Sequence, residues 1–103
     1  MPDPLTQKIT SALTFETAPG LLEQSQSWFV DDSSQIVVDL SAAGRTDSAG
    51  IALLLEWIET SRKRNLQLKF TSLPSQLREF IEANDLTRLF QQYTDQVNVS
   101  NTD

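Results

Sequence analysis

The sequence predicts an α/β domain, because segments that look like strands alternate along the chain with segments that look like helices. Residues 36–40 form a continuous apolar run rich in β-branched side chains, which is typical of a buried central strand. Apolar residues then recur at helical spacing over 51–64, and residues 66–70 alternate between apolar and polar as a half-exposed strand does. Strands separated by helices are joined by parallel crossovers, so we expect a sheet covered by helices.

The N-terminal third of the chain predicts an arm, a strand and a helix. Two prolines make residues 1–7 a poor start for regular structure, so we expect an arm there. Frequent β-formers over residues 8–15 predict the first strand. Pro19 suits the first turn of a helix, which helical spacing extends to about Phe29. Since Trp28 and Phe29 are adjacent, we do not expect both to face inward from one helix.

The C-terminal third predicts one more helix and a tail. Pro74 suits a helix first turn, and Asn84 is expected to close that helix in the left-handed conformation. A short apolar turn follows. We therefore expect a domain over residues 8–93 and a polar tail over residues 94–103, in which Val97 and Val99 could form a weak terminal strand.

Composition removes most enzyme classes. The 103 residues include no cysteine, which excludes disulfides, thiolate metal sites and a cysteine nucleophile. They also include no histidine, the commonest general base and transition-metal ligand. These absences leave open a site built only from carboxylates or based on lysine or tyrosine. We expect a protein that is not an enzyme and that holds no cofactor or metal.

The charge and hydropathy of the chain limit the kinds of partner that it can bind. Fourteen acidic and eight basic residues give a net charge of −6, which opposes binding to nucleic acids. The sequence has no apolar run near the ~20 residues of a membrane span, and because its first residues are acidic and proline-bearing we expect no signal peptide. We expect a cytoplasmic domain with no direct membrane insertion and with a protein as its partner.

The junction between the predicted central strand and the next helix is the expected functional site, because ligands and partners favour the carboxyl ends of parallel strands. Asp47 or Ser48 can accept hydrogen bonds from the free N–H groups of the helix start, which is a structural role. Gly50 suits the close packing of a strand-to-helix turn. Leu53 and Trp57 lie off the centre of the helix's buried face, so they either make a second core contact or form an exposed anchor for a partner.

The same residues carry a resemblance to a known family. The strand over residues 36–41, the tetrad Asp-Ser-Ala-Gly over 47–50 and the apolar helix after it resemble the STAS domain family. That family includes anti-sigma factor antagonists and the cytoplasmic tails of sulfate transporters. The likeness covers residues 9–91 and implies the STAS-like fold, a small mixed sheet of about four strands flanked by three to four helices. The family usually opens with a two-stranded hairpin, for which this N-terminus is short.

Within the family, residues 50–59 are most similar to the MlaB-type STAS subunits of the Mla phospholipid-transport ABC system. This likeness implies a non-catalytic accessory subunit that binds and supports the ABC-transporter ATPase subunit of a complex maintaining outer-membrane lipid asymmetry. Such a subunit is peripheral to the inner membrane through its partner complex. Ser48 stands where MlaB-type subunits carry a threonine that they need for function.

The other branch of the family implies an alternative, an anti-sigma factor antagonist-type switch controlled by serine phosphorylation. Ala49 occupies the position of the phosphorylated serine in that branch, which leaves Ser48 as the possible phosphorylation site. The candidate partner-binding and regulatory residues are Arg45, Thr46, Asp47, Ser48, Ala49, Gly50, Leu53 and Trp57.

Overall fold

The sheet at the centre of the fold is parallel throughout. In the computed structural model, which describes residues 4–29 and 35–94, the strands are β1 (Leu5–Lys8), β2 (Gln35–Asp39) and β3 (Gln67–Thr71). The helices are α1 (Ala18–Ser25), α2 (Ser48–Lys63), α3 (Ser75–Ala83) and α4 (Thr87–Phe90). The strand order is β1-β2-β3, and each crossover passes through a helix, so the predicted α/β class is confirmed.

The sheet is smaller than the STAS-like expectation. Over the described residues it has three strands, all parallel, whereas a mixed sheet of about four was expected. The predicted terminal strand near Val97 and Val99 lies outside the described residues, as does most of the predicted tail.

The first strand lies earlier than predicted. It is β1 and not residues 8–15, and it begins within the segment expected to be an arm. Pro4 directly precedes β1, where its missing N–H is tolerated because β1 is at the sheet edge. The later segment contributes only an isolated parallel bridge between Leu13 and Thr46.

Threonine side chains explain why residues 8–15 do not continue as a strand. The Thr17 hydroxyl donates to the Ala12 carbonyl at 2.6 Å and accepts from the Thr14 N–H at 2.9 Å. Such local side-chain bonds compete with strand ladders for the same backbone groups. The β-formers here therefore build a tight turn before α1.

The central strand is buried mainly on one face. Ile36 and Val38 are fully buried, while Val37 between them is half-buried, although burial on both faces was expected. On the core face, Leu68 and Phe70 of β3 lie directly beside them in register. The predicted half-exposed alternation of β3 is confirmed.

The end of α1 corrects a second expectation. The helix stops at Ser25 instead of near Phe29, and the Trp28 N–H bonds the Ser25 carbonyl at 2.9 Å in the turn that follows. Because the chain turns here, Trp28 and Phe29 both point inward, with exposed fractions of 3% and 4%.

The end of α3 differs from the expectation that Asn84 would adopt the left-handed conformation. Asn84 has φ −107°, and the left-handed conformation falls on Asp85, with φ 59°. The Leu86 N–H bonds the Ile81 carbonyl and the Asp85 N–H bonds the Glu82 carbonyl, which is the Schellman pattern of helix closure. Asp85 tolerates this conformation because its side chain is short and polar.

Candidate functional site

The loop before α1 is bound to the residues that lead into α2. The Leu13 N–H donates to the Arg45 carbonyl at 2.7 Å, and the Asp47 N–H donates to the Leu13 carbonyl at 3.0 Å. These backbone bonds, with the bridge between Leu13 and Thr46, place the segment of residues 12–17 against the start of α2. The site therefore has two components that are distant in sequence.

Asp47 joins the two components through its carboxylate. It is the N-cap of α2, and its Oδ1 accepts from the N–H groups of Ala49 at 2.9 Å and Gly50 at 3.2 Å. Its Oδ2 accepts from the N–H of Phe15 at 3.1 Å. The predicted capping role of Asp47 is confirmed, and the bond to Phe15 adds to it.

These bonds stabilise the ionised carboxylate. The Phe15 N–H is the largest cause that lowers the pKa of Asp47 below its ordinary value of 3.8, while the two helix N–H groups and the charge of Arg45 contribute smaller effects in the same direction. Asp39, at the end of β2, behaves similarly, since the Ser41 N–H at 2.9 Å is the first cause that lowers its pKa.

Gly50 allows the close approach of the two components. A Cβ at this position would overlap the Leu13 carbonyl oxygen, which is backbone and cannot rotate away. The expected close-packing role of Gly50 is thus confirmed.

Thr46 is held from the other side by α3. Its N–H donates to the Gln76 side-chain oxygen at 3.0 Å, and the residue is 5% exposed. Its buried hydroxyl has no hydrogen-bond partner among the residues that the structure describes. Thr46 therefore helps to fix the strand-to-helix turn and is not a surface residue.

The predicted site residues separate into a surface group and a buried group. Those that keep exposed surface are Arg45, Asp47, Ser48 and Ala49. Those that are buried are Thr46, Gly50, Leu53 and Trp57.

Trp57 belongs to the core, so its interpretation as an exposed anchor is wrong. It is 1% exposed, and its indole N–H donates to the Ser25 hydroxyl of α1 at 2.8 Å. Its ring lies 5.1 Å from that of Trp28 at an angle of 46°. The alternative interpretation, a second core contact with a neighbouring helix, is confirmed.

A surface that the sequence did not predict includes Ala49, the residue that follows Ser48. Between α1 and α2 is an open groove of about 380 Å³. Its lining consists of one charged residue, Glu56, and the apolar residues Phe15, Ala18, Pro19, Leu22, Ala49, Ala52 and Leu53. We call it the α1–α2 groove. Phe15 is 78% exposed at its edge, an unusual position for a large aromatic side chain, and Leu22 is 36% exposed.

Phe15 was not among the predicted site residues, because it fell within the strand predicted over residues 8–15. The signal that could have identified it is the pair of threonines around it, Thr14 and Thr17, which favour a turn. A turn places alternate side chains differently from a strand.

The described residues contain no group of three or more acidic, histidine or cysteine side chains arranged to hold a metal ion. Within the same part of the chain, no helix combines the length and apolar character needed to cross a membrane.

The lowered pKa of Asp47 predicts how its contribution to stability depends on pH. Its folded pKa lies below the unfolded value, so its hydrogen bonds stabilise the fold fully above about pH 4 and less as the pH falls through the folded pKa. Urea unfolding of wild type and Asp47→Asn should show a gap in the free energy of unfolding that is constant near neutral pH and shrinks in acid. The difference in the free energy of unfolding between wild type and Asp39→Asn should also shrink in acid. A gap for Asp47 that persists to about pH 2 would contradict this.

Comparison with known proteins gives a family match. The family model described as "Mlab, STAS domain" matches residues 3–91. Among solved structures, a sulfate transporter family protein from Wolinella succinogenes is similar, with a TM-score of 0.71 and 13% identity over 88% of this chain and 75% of that chain. At this identity the likeness shows the fold alone. No curated protein gave a significant match.

Proposed function

Because the chain belongs to the STAS domain family, we propose that it is a non-catalytic accessory subunit of the MlaB type. In this role it binds the cytoplasmic ATPase of a phospholipid-transport ABC complex and supports its activity, and the complex maintains the lipid asymmetry of the outer membrane. Its place in the cell is then the cytoplasmic side of the inner membrane, reached through its partner.

The observation that carries this proposal is the exposed apolar surface at the start of α2. Phe15 holds a large apolar side chain mostly in water and Leu22 exposes about a third of its surface, which costs free energy unless another protein covers them. They line the α1–α2 groove together with Ala49, the residue that follows Ser48. Aromatic side chains are enriched at the cores of protein interfaces, where they fill apolar pockets of the partner.

Charge favours the same kind of partner. Glu56 lines the groove, and the chain carries a net charge of −6. A partner surface that is apolar at its centre and basic at its rim would complement it. The family membership and this surface support an ATPase of a transporter as the partner.

The alternative function, a switch controlled by phosphorylation, has one observation in its favour. Ser48 is exposed on the first turn of α2, where the helix dipole favours an added negative charge. However, the Asp47 carboxylate already occupies the N–H groups of Ala49 and Gly50 and would repel a phosphate. Mass spectrometry of the protein from its own cells distinguishes the two, since phosphate on Ser48 together with a bound anti-sigma factor would favour the switch.

The docking proposal predicts a loss of binding without a loss of folding. Phe15→Ser should weaken binding to the Mla ATPase subunit of the same organism by roughly 30-fold or more, as expected for a hot spot. Ser48→Arg should also weaken it by placing a bulky cation on the docking surface. Both residues are exposed, so the melting temperature should change little. Isothermal titration calorimetry with purified subunits measures the affinities.

The matched control is Lys63→Ala. Lys63 is exposed at the other end of α2, roughly 20 Å from Ser48 along the helix axis. It should bind as the wild type does. If Phe15→Ser and Ser48→Arg both keep wild-type affinity, the docking surface is placed incorrectly.

A further inference from the structure

Phe15 presents an exposed side chain from a backbone that is held in place. The residue is 78% exposed, yet its N–H is bonded to the Asp47 Oδ2 at 3.1 Å across 32 residues of sequence. The two residues before it are fixed by their own bonds, since Leu13 is paired with Arg45 and Thr14 with the Thr17 hydroxyl. Among these, the bond to Asp47 is the one that ties Phe15 itself to α2.

The carboxylate of Asp47 divides its oxygens between two tasks. Oδ1 accepts the two N–H groups at the start of α2, and Oδ2 accepts the N–H of Phe15. Serine, threonine and asparagine are good helix caps, but each offers a single acceptor oxygen. An asparagine that keeps the helix cap would turn its amide nitrogen, a donor, toward the Phe15 N–H. Two simultaneous acceptors in this position are a property of aspartate.

We propose that Asp47 is a positioning residue that holds Phe15 over the edge of the α1–α2 groove and so prepares the docking surface before the partner arrives. We call the bond from the Phe15 N–H to the Asp47 carboxylate the tether. The inference rests on the proposed function for its consequence in binding, although the tether itself is a property of the free protein. A Phe15 that is already in place loses less conformational freedom on binding than a free one. We expect removal of the tether to weaken ATPase binding about tenfold, which corresponds to about 1.4 kcal/mol.

The first test uses the free protein. NMR measurement of amide hydrogen exchange should show that Asp47→Asn accelerates exchange of the Phe15 N–H about tenfold or more, while the N–H groups of Ala49 and Gly50 keep rates near those of the wild type. Asp39→Asn is the matched control, because that carboxylate also accepts a backbone N–H, from Ser41, but none from Phe15. It should leave the Phe15 rate unchanged. If the exchange rate of the Phe15 N–H is unchanged in Asp47→Asn, the inference that this bond holds Phe15 is overturned.

The second test measures coupling in the complex. In the wild-type background, Phe15→Ser should weaken ATPase binding strongly, and in the Asp47→Asn background it should weaken binding clearly less. If Asp47 has only a structural role, Phe15→Ser should lower the affinity by the same factor in both backgrounds, and that result overturns the inference. If Asp47→Asn does not fold, Asp47→Ser replaces it, because a serine keeps the helix cap and is too short to reach Phe15 as well.

The two proposals fail in different ways. If the wild-type protein does not bind the ATPase but Asp47→Asn accelerates Phe15 exchange, the proposed function is wrong and the tether stands. If Phe15→Ser weakens binding and Asp47→Asn does not, the docking surface stands and the positioning role is wrong.

Discussion

Replacement of Gly50 by alanine is expected to lower the free energy of unfolding by about 2 kcal/mol or more, even though alanine is the better helix former by about 1 kcal/mol. The new Cβ would overlap the Leu13 carbonyl oxygen. That oxygen accepts the Asp47 N–H at 3.0 Å, so moving it weakens a bond that joins the two components of the site. The melting temperature should fall by roughly 4–8 °C for each kcal/mol in a domain of this size.

The control for this substitution is Gly20→Ala. Gly20 lies in α1, and a Cβ there would meet no atom within 4 Å. Alanine should therefore leave stability unchanged or raise it by up to about 1 kcal/mol. Thermal unfolding of the two variants side by side measures the difference. If Gly50→Ala is as stable as Gly20→Ala, the two components are not packed as closely as the structure has them.

Replacement of Trp57 by alanine should have the largest effect of any single substitution considered, a loss of about 3–5 kcal/mol in the free energy of unfolding. The side chain is 1% exposed, so its removal leaves a large cavity between α1 and α2. It also removes the ring contact with Trp28 and the hydrogen bond to Ser25. A change of this size approaches the whole stability of many small domains, so Trp57→Ala should be largely unfolded at 37 °C.

Milder variants separate packing from hydrogen bonding. Ser25→Ala keeps the Trp57 ring but leaves its indole N–H without its acceptor, at a cost of about 1–3 kcal/mol. Phe15→Ala removes a comparable apolar ring that is 78% exposed and should change stability by no more than about 0.5 kcal/mol. Urea titration followed by tryptophan emission or far-UV circular dichroism measures each variant. A Trp57→Ala protein as stable as Phe15→Ala would show that Trp57 is not in the core.

The parts of the fold that follow from a continuous local pattern could be predicted from the sequence. Strands β2 and β3 differ by about one residue from the predicted ranges, and α2 begins directly after the capping residue Asp47. Each is specified by many neighbouring side chains that agree with one another. In contrast, β1 has four residues, of which only Leu5 is a large apolar one, so its assignment depends on pairing with β2 rather than on its own pattern.

The candidate site also has a part that could be predicted from the sequence and a part that could not. The capping role of Asp47 and the close packing of Gly50 follow from the residue types at a helix start. The position of Phe15 does not, because it depends on the bridge between Leu13 and Thr46 and on the bond from its own N–H to Asp47, which join segments far apart in sequence. The burial of Trp57 likewise depended on where α1 lies relative to α2.

The parallel pairing of all three strands has a consequence for how the chain folds. Each strand pair joins segments separated by a whole helical crossover, so the described sheet contains no hairpin that could form early from neighbouring residues. Loop-closure entropy must be overcome before any ladder bond forms. Stopped-flow refolding should therefore be slower than that of helical bundles of similar length, and α2, as the longest local element, is the natural candidate for early structure.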